Sequence, residues 1–297
     1  MIKDLITIIT PCYNGEKHLK PYIDGLLSQT YQNVQYIFVN DGSNDKTEEI
    51  ILNHKQEFEQ KGWEFNYIFQ ENKGQAAAIN KGLEIAKGEF LSCLDSDDIF
   101  LPTYLEKMAQ YLKNNPECGI CFPTSEFVKN DKTFSHLYFK KRIVPKGAVD
   151  NFVEDMFLTH DNTPAFSTFM LRMESFLKYT PSGKIFEAKS GQNPQLIMPI
   201  AYNEKVGYIE EVLAKIVVRN ESDSNSNLID KSHNWEYLYY KMLDTIPNMS
   251  LQEKEYFHNK IKERWNTFRE QMHSSRKASH KVINFFGIKF KFKKTPD

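Results

Sequence analysis

No apolar run in the 297-residue sequence is long enough to span a bilayer, and its first residues lack the charged-then-apolar pattern of a secretory leader. Both absences point to a cytoplasmic protein. Cysteine is scarce, with only Cys12, Cys93, Cys118 and Cys121, each in or beside an apolar run of strand character. Cys118 and Cys121 have zinc-ligand spacing, but no second pair or neighbouring His completes a site, so all four read as buried thiols. Internal repeats and low-complexity tracts are also missing. Net charge is nearly absent at −1, but it is unevenly spread: residues 271–297 carry +6 and residues 1–270 carry −7. An acidic body with a basic tail argues against nucleic-acid binding and for a tail with a partner of its own.

What is present is enough apolar material, 40% of residues, to bury one large core or two modest ones. Residues 5–10, LITIIT, are apolar and β-branched, as in a buried strand. Pro11-Cys12-Tyr13-Asn14-Gly15 ends it, and Leu19, Tyr22, Ile23, Leu26 and Leu27 then recur at helical spacing. A second strand is predicted over 34–39, and Asp45 with Glu48 has the form of a capping box on the next helix. Residues 65–69 read as a third strand and 74–87 as a helix, stopped by Gly88. This alternation predicts an α/β fold with a doubly wound, mostly parallel Rossmann-like sheet and helices on both faces.

The fourth strand runs through Phe90, Leu91, Cys93 and Leu94 and ends in Asp95, Asp97 and Asp98. Acids at the carboxyl end of a buried strand open into the crevice where such sheets bind ligands. Packing three of them there is costly without a cation, and oxygen ligands on a short turn suit Mg²⁺ or Mn²⁺. The alternative is a polar turn in which Asp98 caps the helix after Pro102. Tyr13, Asp41 and Asp95 all fall at strand carboxyl ends, so one crevice would collect them.

These stretches resemble the motifs of the family 2 glycosyltransferases, whose nucleotide-sugar fold is called GT-A. Thr7-Ile8-Ile9-Thr10-Pro11-Cys12-Tyr13-Asn14 looks like the first motif, and Ser28-Gln29-Thr30-Tyr31 with Val39-Asn40-Asp41-Gly42-Ser43-Asn44-Asp45 like the second. Asn72-x-Gly74, Asn80-x-Gly82 and Gly88-Glu89-Phe90 lead into Asp95-Ser96-Asp97-Asp98, similar to the family's metal motif. Ordered and correctly spaced over the first 125 residues, the set is far more specific than any single tetrad.

The resemblance implies roles. Tyr13 would pack on a nucleobase beside Pro11 and Asn14, while Asp41 would accept hydrogen bonds from the base edge. Asp95 would lie near the ribose and the cation, and Asp97 would ligate a Mg²⁺ or Mn²⁺ ion that stabilises the leaving diphosphate. Lys73 and Arg219 are candidates to reach the phosphates.

Two departures from the family pattern stand out. Where relatives read Gly-Glu-Asp, with the acid acting as general base, this chain reads Gly191-Gln192-Asn193. An amide can bind the acceptor sugar but cannot take its proton at neutral pH. Glu187 is the nearest acid and Asp161 the next candidate. Relatives also carry a His after the Arg near Arg219, yet no His occurs between His160 and His233.

The second half is read more coarsely. Residues 105–112 form an amphipathic helix, 119–123 a strand, 124–142 a hairpin or loop, and 165–172 a strand. Two helices follow, striped by Trp235, Leu238, Tyr239, Met242, Leu243 and Ile246, then by Phe257, Ile261, Trp265 and Phe268. The expected organisation is a transferase domain over 1–225, with a donor half over 1–125 and an acceptor half over 126–225. A helical extension over 226–275 and a basic aromatic tail over 276–297 follow. In the tail, an extended Ile288–Lys293 segment would set Ile288, Phe290 and Phe292 against Lys289, Lys291 and Lys293. That pattern fits an anionic membrane surface, or else an edge strand or helix packed on the body.

The function implied is transfer of a sugar from a nucleoside diphosphate sugar, with UDP favoured, to a glycan or lipid-linked acceptor in bacterial surface-polysaccharide synthesis. The protein would be cytoplasmic and peripheral at the inner face of the membrane. The competing reading is a catalytically silent nucleotide-sugar binding module that scaffolds an assembly complex.

Overall fold

The LITIIT run forms the buried centre of β1 (Ile2–Cys12) in the computed structural model, which describes residues 1–129, 132–136, 149–154, 156–157, 165–188, 191–218, 228–276, 280–285 and 288–293. Its two neighbours, β2 (Val34–Asp41) and β4 (Gly88–Cys93), both run parallel to it, with Ile9 opposite Ile37 on one side and Cys93 on the other. Beyond β2 lies β3 (Glu64–Gln70), also parallel. The chain therefore moves outward from β1 to β3, then returns to the opposite side of β1. This reversal opens a crevice between the carboxyl ends of β1 and β4.

On the far side of β4 the sheet becomes mixed. Its order is β3-β2-β1-β4-β8-β6-β9-β5, where β5 is Ile99–Phe100, β6 Cys118–Lys129, β8 Met170–Arg172 and β9 Lys205–Val217. β8 pairs antiparallel with both β4 and β6, whereas β6 and β9 run parallel. β7 (Lys132–His136) folds back on the end of β6 as a hairpin. The strand expected over 165–172 is confined to its last three residues, because 165–169 turns there. β9 was not expected, since its sequence KVGYIEEVLAKIV breaks the apolar alternation with an acidic pair.

Period-two alternation assigns the helices to faces. Ile6, Ile8, Tyr36, Phe38 and Phe90 meet α1 (Leu19–Leu27), α2 (Thr47–Asn53), α3 (Lys55–Gln60) and α5 (Tyr104–Asn114). Ile9, Ile37, Val39, Leu91 and Cys93 belong to the opposite core with α4 (Gln75–Leu83), α6 (Val149–Glu154), α7 (Met173–Tyr179) and α8 (Gln192–Asn203). The expected terminal helices are α9 (Leu228–Thr245) and α10 (Leu251–Arg276), and their stripes join this second core, where Trp265 is only 1% exposed. β10 (His280–Phe285) and β11 (Ile288–Lys293) form a separate antiparallel hairpin, whose register places Ile283 opposite Phe290 and Phe285 opposite Ile288. Among the described residues, no helix is long and apolar enough to cross a membrane.

Two local expectations change. Gly88 does not stop a helix: α4 ends at Leu83, and Gly88 opens β4. A Cβ there would lie 2.6 Å from Thr7 N and 2.7 Å from Leu5 O, so the glycine is demanded by backbone packed on backbone. Asp45 and Glu48 do not form a capping box either. Asp45 instead accepts the N–H of Thr47 at 3.0 Å and that of Glu16 at 3.0 Å, tying the β1–α1 turn to the β2–α2 turn. All four cysteines are buried free thiols, and burial pushes those of Cys93 and Cys121 upward.

Candidate active site

Three turns frame the crevice. Past the end of β1, Tyr13 is 51% exposed, an unusual position for an aromatic ring unless something is to cover it. Asn14 adopts a left-handed backbone, φ 50°, and its Oδ1 accepts the Asn44 N–H at 2.9 Å while its own N–H donates to Ser43 Oγ at 2.9 Å. Pro11 lies within β1, opposite Val39. The Pro11–Asn14 stretch is thus held by the turn that follows β2.

Asp41, the last residue of β2, is buried and already engaged. Its Oδ1 accepts from Gln70 Nε2 at 2.7 Å and the Lys73 N–H at 2.9 Å, and its Oδ2 accepts the Gly74 N–H at 2.9 Å. Of roughly four acceptor positions on a carboxylate, three are filled. Asp41 therefore anchors the 70–74 loop, with one acceptor position beyond these three bonds. The Lys73 side chain is exposed. Gly42, φ 74°, allows the same approach: a Cβ there would meet Asn72 N at 2.6 Å.

After β4, ligand atoms of Asp95, Asp97 and Asp98 all lie within 4.8 Å of one another. Asp98 does not cap α5. Its buried carboxylate accepts Ser167 Oγ at 2.6 Å and the Val217 N–H at 3.2 Å, joining the 165–169 turn and the end of β9 to the motif. Burial, then the charge of Asp95, pushes Asp98 up to about 7, against the opposing pull of Ser167 and Val217. Three hard oxygen donors with charge to relieve fit a Mg²⁺ or Mn²⁺ ion.

The fourth wall is the N-terminus of α8. Gly191 precedes it in the left-handed region, φ 77°. Gln192 Nε2 donates to Gln75 Oε1, and Gln75 Nε2 donates to Asp95 Oδ1 at 2.8 Å. Asn193 is buried, and its Oδ1 has no hydrogen-bond partner. The segment before α8 is clamped. Asn80 pairs with both backbone groups of Ile185, at 2.8 and 2.9 Å, and Gln195 Oε1 accepts the Phe186 N–H at 2.8 Å. Glu187 follows directly and is exposed. Asp161 and Arg219 lie outside the described residues. Gln70, Gln75 and Ser167 were missed in the sequence; only Gln75 carried a signal, as the first helical residue after Asn72-x-Gly74.

Comparisons with known proteins bear on the fold and the family. An uncharacterized glycosyltransferase of Rickettsia typhi is 41% identical over 137 residues, 46% of this chain and 41% of that protein. The chain thus matches less than half the length of this curated relative. Among solved structures, S. aureus TarS in complex with UDP-GlcNAc superposes with a TM-score of 0.67 at 18% identity, covering 89% of this chain and 73% of the other. A mannosyltransferase from Pyrobaculum calidifontis, in complex with GDP-Man and Mn²⁺, gives a TM-score of 0.58 at 14% identity, covering 92% and 75%. At such identities the likeness speaks for the fold alone, and it is the glycosyltransferase fold called GT-A. The Glycosyl transferase family 2 pattern matches residues 7–179. Since that match takes in more than half of the 297 residues and every motif from Thr7 to Asp98, this chain belongs to glycosyl transferase family 2.

Proposed function

We propose that the protein transfers a sugar from a nucleoside diphosphate sugar to a hydroxyl of a glycan or lipid-linked acceptor, in assembling a surface polysaccharide. The observation that carries this reading is the convergence of Asp95, Asp97 and Asp98 within 4.8 Å at the sheet's switch point, beside the loop that Asp41 anchors. In this reading Tyr13 stacks on the nucleobase, next to Pro11 and Asn14, and the last acceptor position of Asp41 takes one N–H from the base edge. Lys73 and Arg219 would serve the phosphates. A base offering a single edge N–H suits Asp41, and with the UDP-GlcNAc named for TarS this favours a UDP-sugar. Asp95 and Asp97, with Asp98 beside them, would hold Mg²⁺ or Mn²⁺. The chemistry such an ion supplies when bound is neutralisation of the departing diphosphate.

Residues 1–225 would form the transferase unit, with 1–125 for the donor and 126–225 for the acceptor, and 226–275 would brace it. In an inverting displacement, the acceptor oxygen bonds to the anomeric carbon as the diphosphate leaves, and the hydroxyl proton needs a base. Gln192 and Asn193 cannot take it, though both can hold the acceptor. Glu187, exposed on its clamped segment, is the proposed base, with Asp161 the alternative. The amide at position 192 also favours a second reading, a silent nucleotide-sugar binding module.

Titration of UDP with and without Mn²⁺, followed by UDP release from UDP-GlcNAc, UDP-glucose and GDP-mannose, tests both readings. UDP affinity should fall at least tenfold on Asp97→Ala or on adding EDTA. Unchanged affinity would remove the metal from the proposal, and binding without turnover on any donor would support the silent module.

The tail is proposed to dock on an anionic membrane, each lysine near the surface contributing about 1 kcal/mol. Deleting residues 276–297 should abolish co-sedimentation with phosphatidylserine vesicles and leave UDP binding intact. High salt should mimic the deletion by screening the lysines. Failure of the full chain to bind such vesicles at low salt would make the tail structural.

A further inference from the structure

Gln75 joins the two sides of the crevice, and the direction of its hydrogen bonds is dictated from one end. An ionised Asp95 can only accept. The Gln75 amide must therefore present Nε2 to Asp95, as observed at 2.8 Å, which leaves its Oε1 on the side of Gln192. Gln192 must then donate through Nε2, which it does. The Gln192 side chain then keeps its carbonyl oxygen, a hydrogen-bond acceptor, and the second N–H of its amide. A carboxylate at position 192 would set an acceptor against the Gln75 Oε1. Gln75 and Gln192 are therefore a matched pair.

We propose that Gln75 is a positioning residue: through it the charge of Asp95 fixes the polarity of Gln192, so that Gln192 Oε1 orients an acceptor hydroxyl by accepting its hydrogen bond. The inference rests on the transferase reading for its purpose, but the polarity relay stands or falls separately.

The test uses the full chain and the near-isosteric Gln75→Met, Gln192→Met and the double variant. Side-chain amide resonances of Gln192, assigned by its loss in Gln192→Met, report the relay without any need for activity. Gln75→Met should shift them in the protein free of metal and nucleotide. With whichever of UDP-GlcNAc, UDP-glucose or GDP-mannose is turned over, UDP release should fall at least tenfold in each single variant. The double variant should be no worse than the poorer single, because two residues acting as one unit are not additive. A merely structural Gln75 would give additive losses. Unmoved Gln192 resonances in Gln75→Met would overturn the relay, and additive losses would overturn its role in turnover. If no donor is turned over, the resonances still decide the relay, and it is the transferase reading that fails.

Discussion

Asp41→Asn is an isosteric change that should nonetheless destabilise the protein, and the hydrogen bonds of Asp41 say by how much. The carboxylate accepts from three donors: Gln70 Nε2 and the Lys73 N–H at Oδ1, and the Gly74 N–H at Oδ2. An amide has one acceptor oxygen. Its better orientation keeps the two bonds at Oδ1 and turns an NH₂ group against the Gly74 N–H, so one bond is lost and two donors face each other in a buried site. Leaving a buried donor unsatisfied costs about 1–3 kcal/mol, and the lost charge weakens the two remaining bonds. A loss of roughly 2–3 kcal/mol would lower the melting temperature of a chain this size by about 3–5 °C. Asp41→Ala, which abandons all three donors, should cost more. Circular dichroism melts in the absence of nucleotide measure this directly. An Asp41→Asn protein that melts within about 1 °C of the parent yet has lost UDP binding would refute the anchoring role and return Asp41 to the ligand alone.

Gly88→Ala should be worse tolerated than its size suggests, since the new methyl would lie 2.6 Å from Thr7 N and 2.7 Å from both Leu5 O and Phe90 O, all backbone atoms. A cost of roughly 3 kcal/mol or more is expected, read as lost soluble yield or a melting temperature at least about 5 °C lower; a parent-like melt would mean the strands can part at that point. If Glu187 is the base, Glu187→Gln should lower turnover by roughly a hundredfold or more with UDP affinity intact. Near-normal turnover would move the role to Asp161.

The first half of the chain was legible because its apolar runs are short, dense and punctuated. Residues 5–10, 34–39 and 65–69 each carry enough β-branched and aromatic residues to leave no helical reading, and the polar turns after them coincide with the crevice. Farther along, the signal weakens for physical reasons. Glu210 and Glu211 are exposed and fall where β9 slips register against β6, between the Ile209–Pro123 and Val212–Thr124 pairs, so they interrupt its pattern, and β5 is two residues long. Only three residues of the 165–172 run form a strand, because the turn before them must bring Ser167 to Asp98.

The site residues divide in the same way. Acids that can be named from a motif, such as Asp41, Asp95 and Asp97, were visible in order along the chain. The amides that connect them were not, because a glutamine has no preferred spacing and its meaning comes from what stands opposite. Gln75 and Gln192 are 117 positions apart, and neither suggests the other until α4 and α8 are packed against the same face of the sheet. Position 192, which in the sequence reads as an amide able to bind an acceptor but not to serve as a base, becomes in the folded protein one end of a hydrogen-bonded path to Asp95. A single substitution back to Glu at 192 would therefore not restore a base by itself. Without a change at Gln75 it would place the new carboxylate against a carbonyl oxygen.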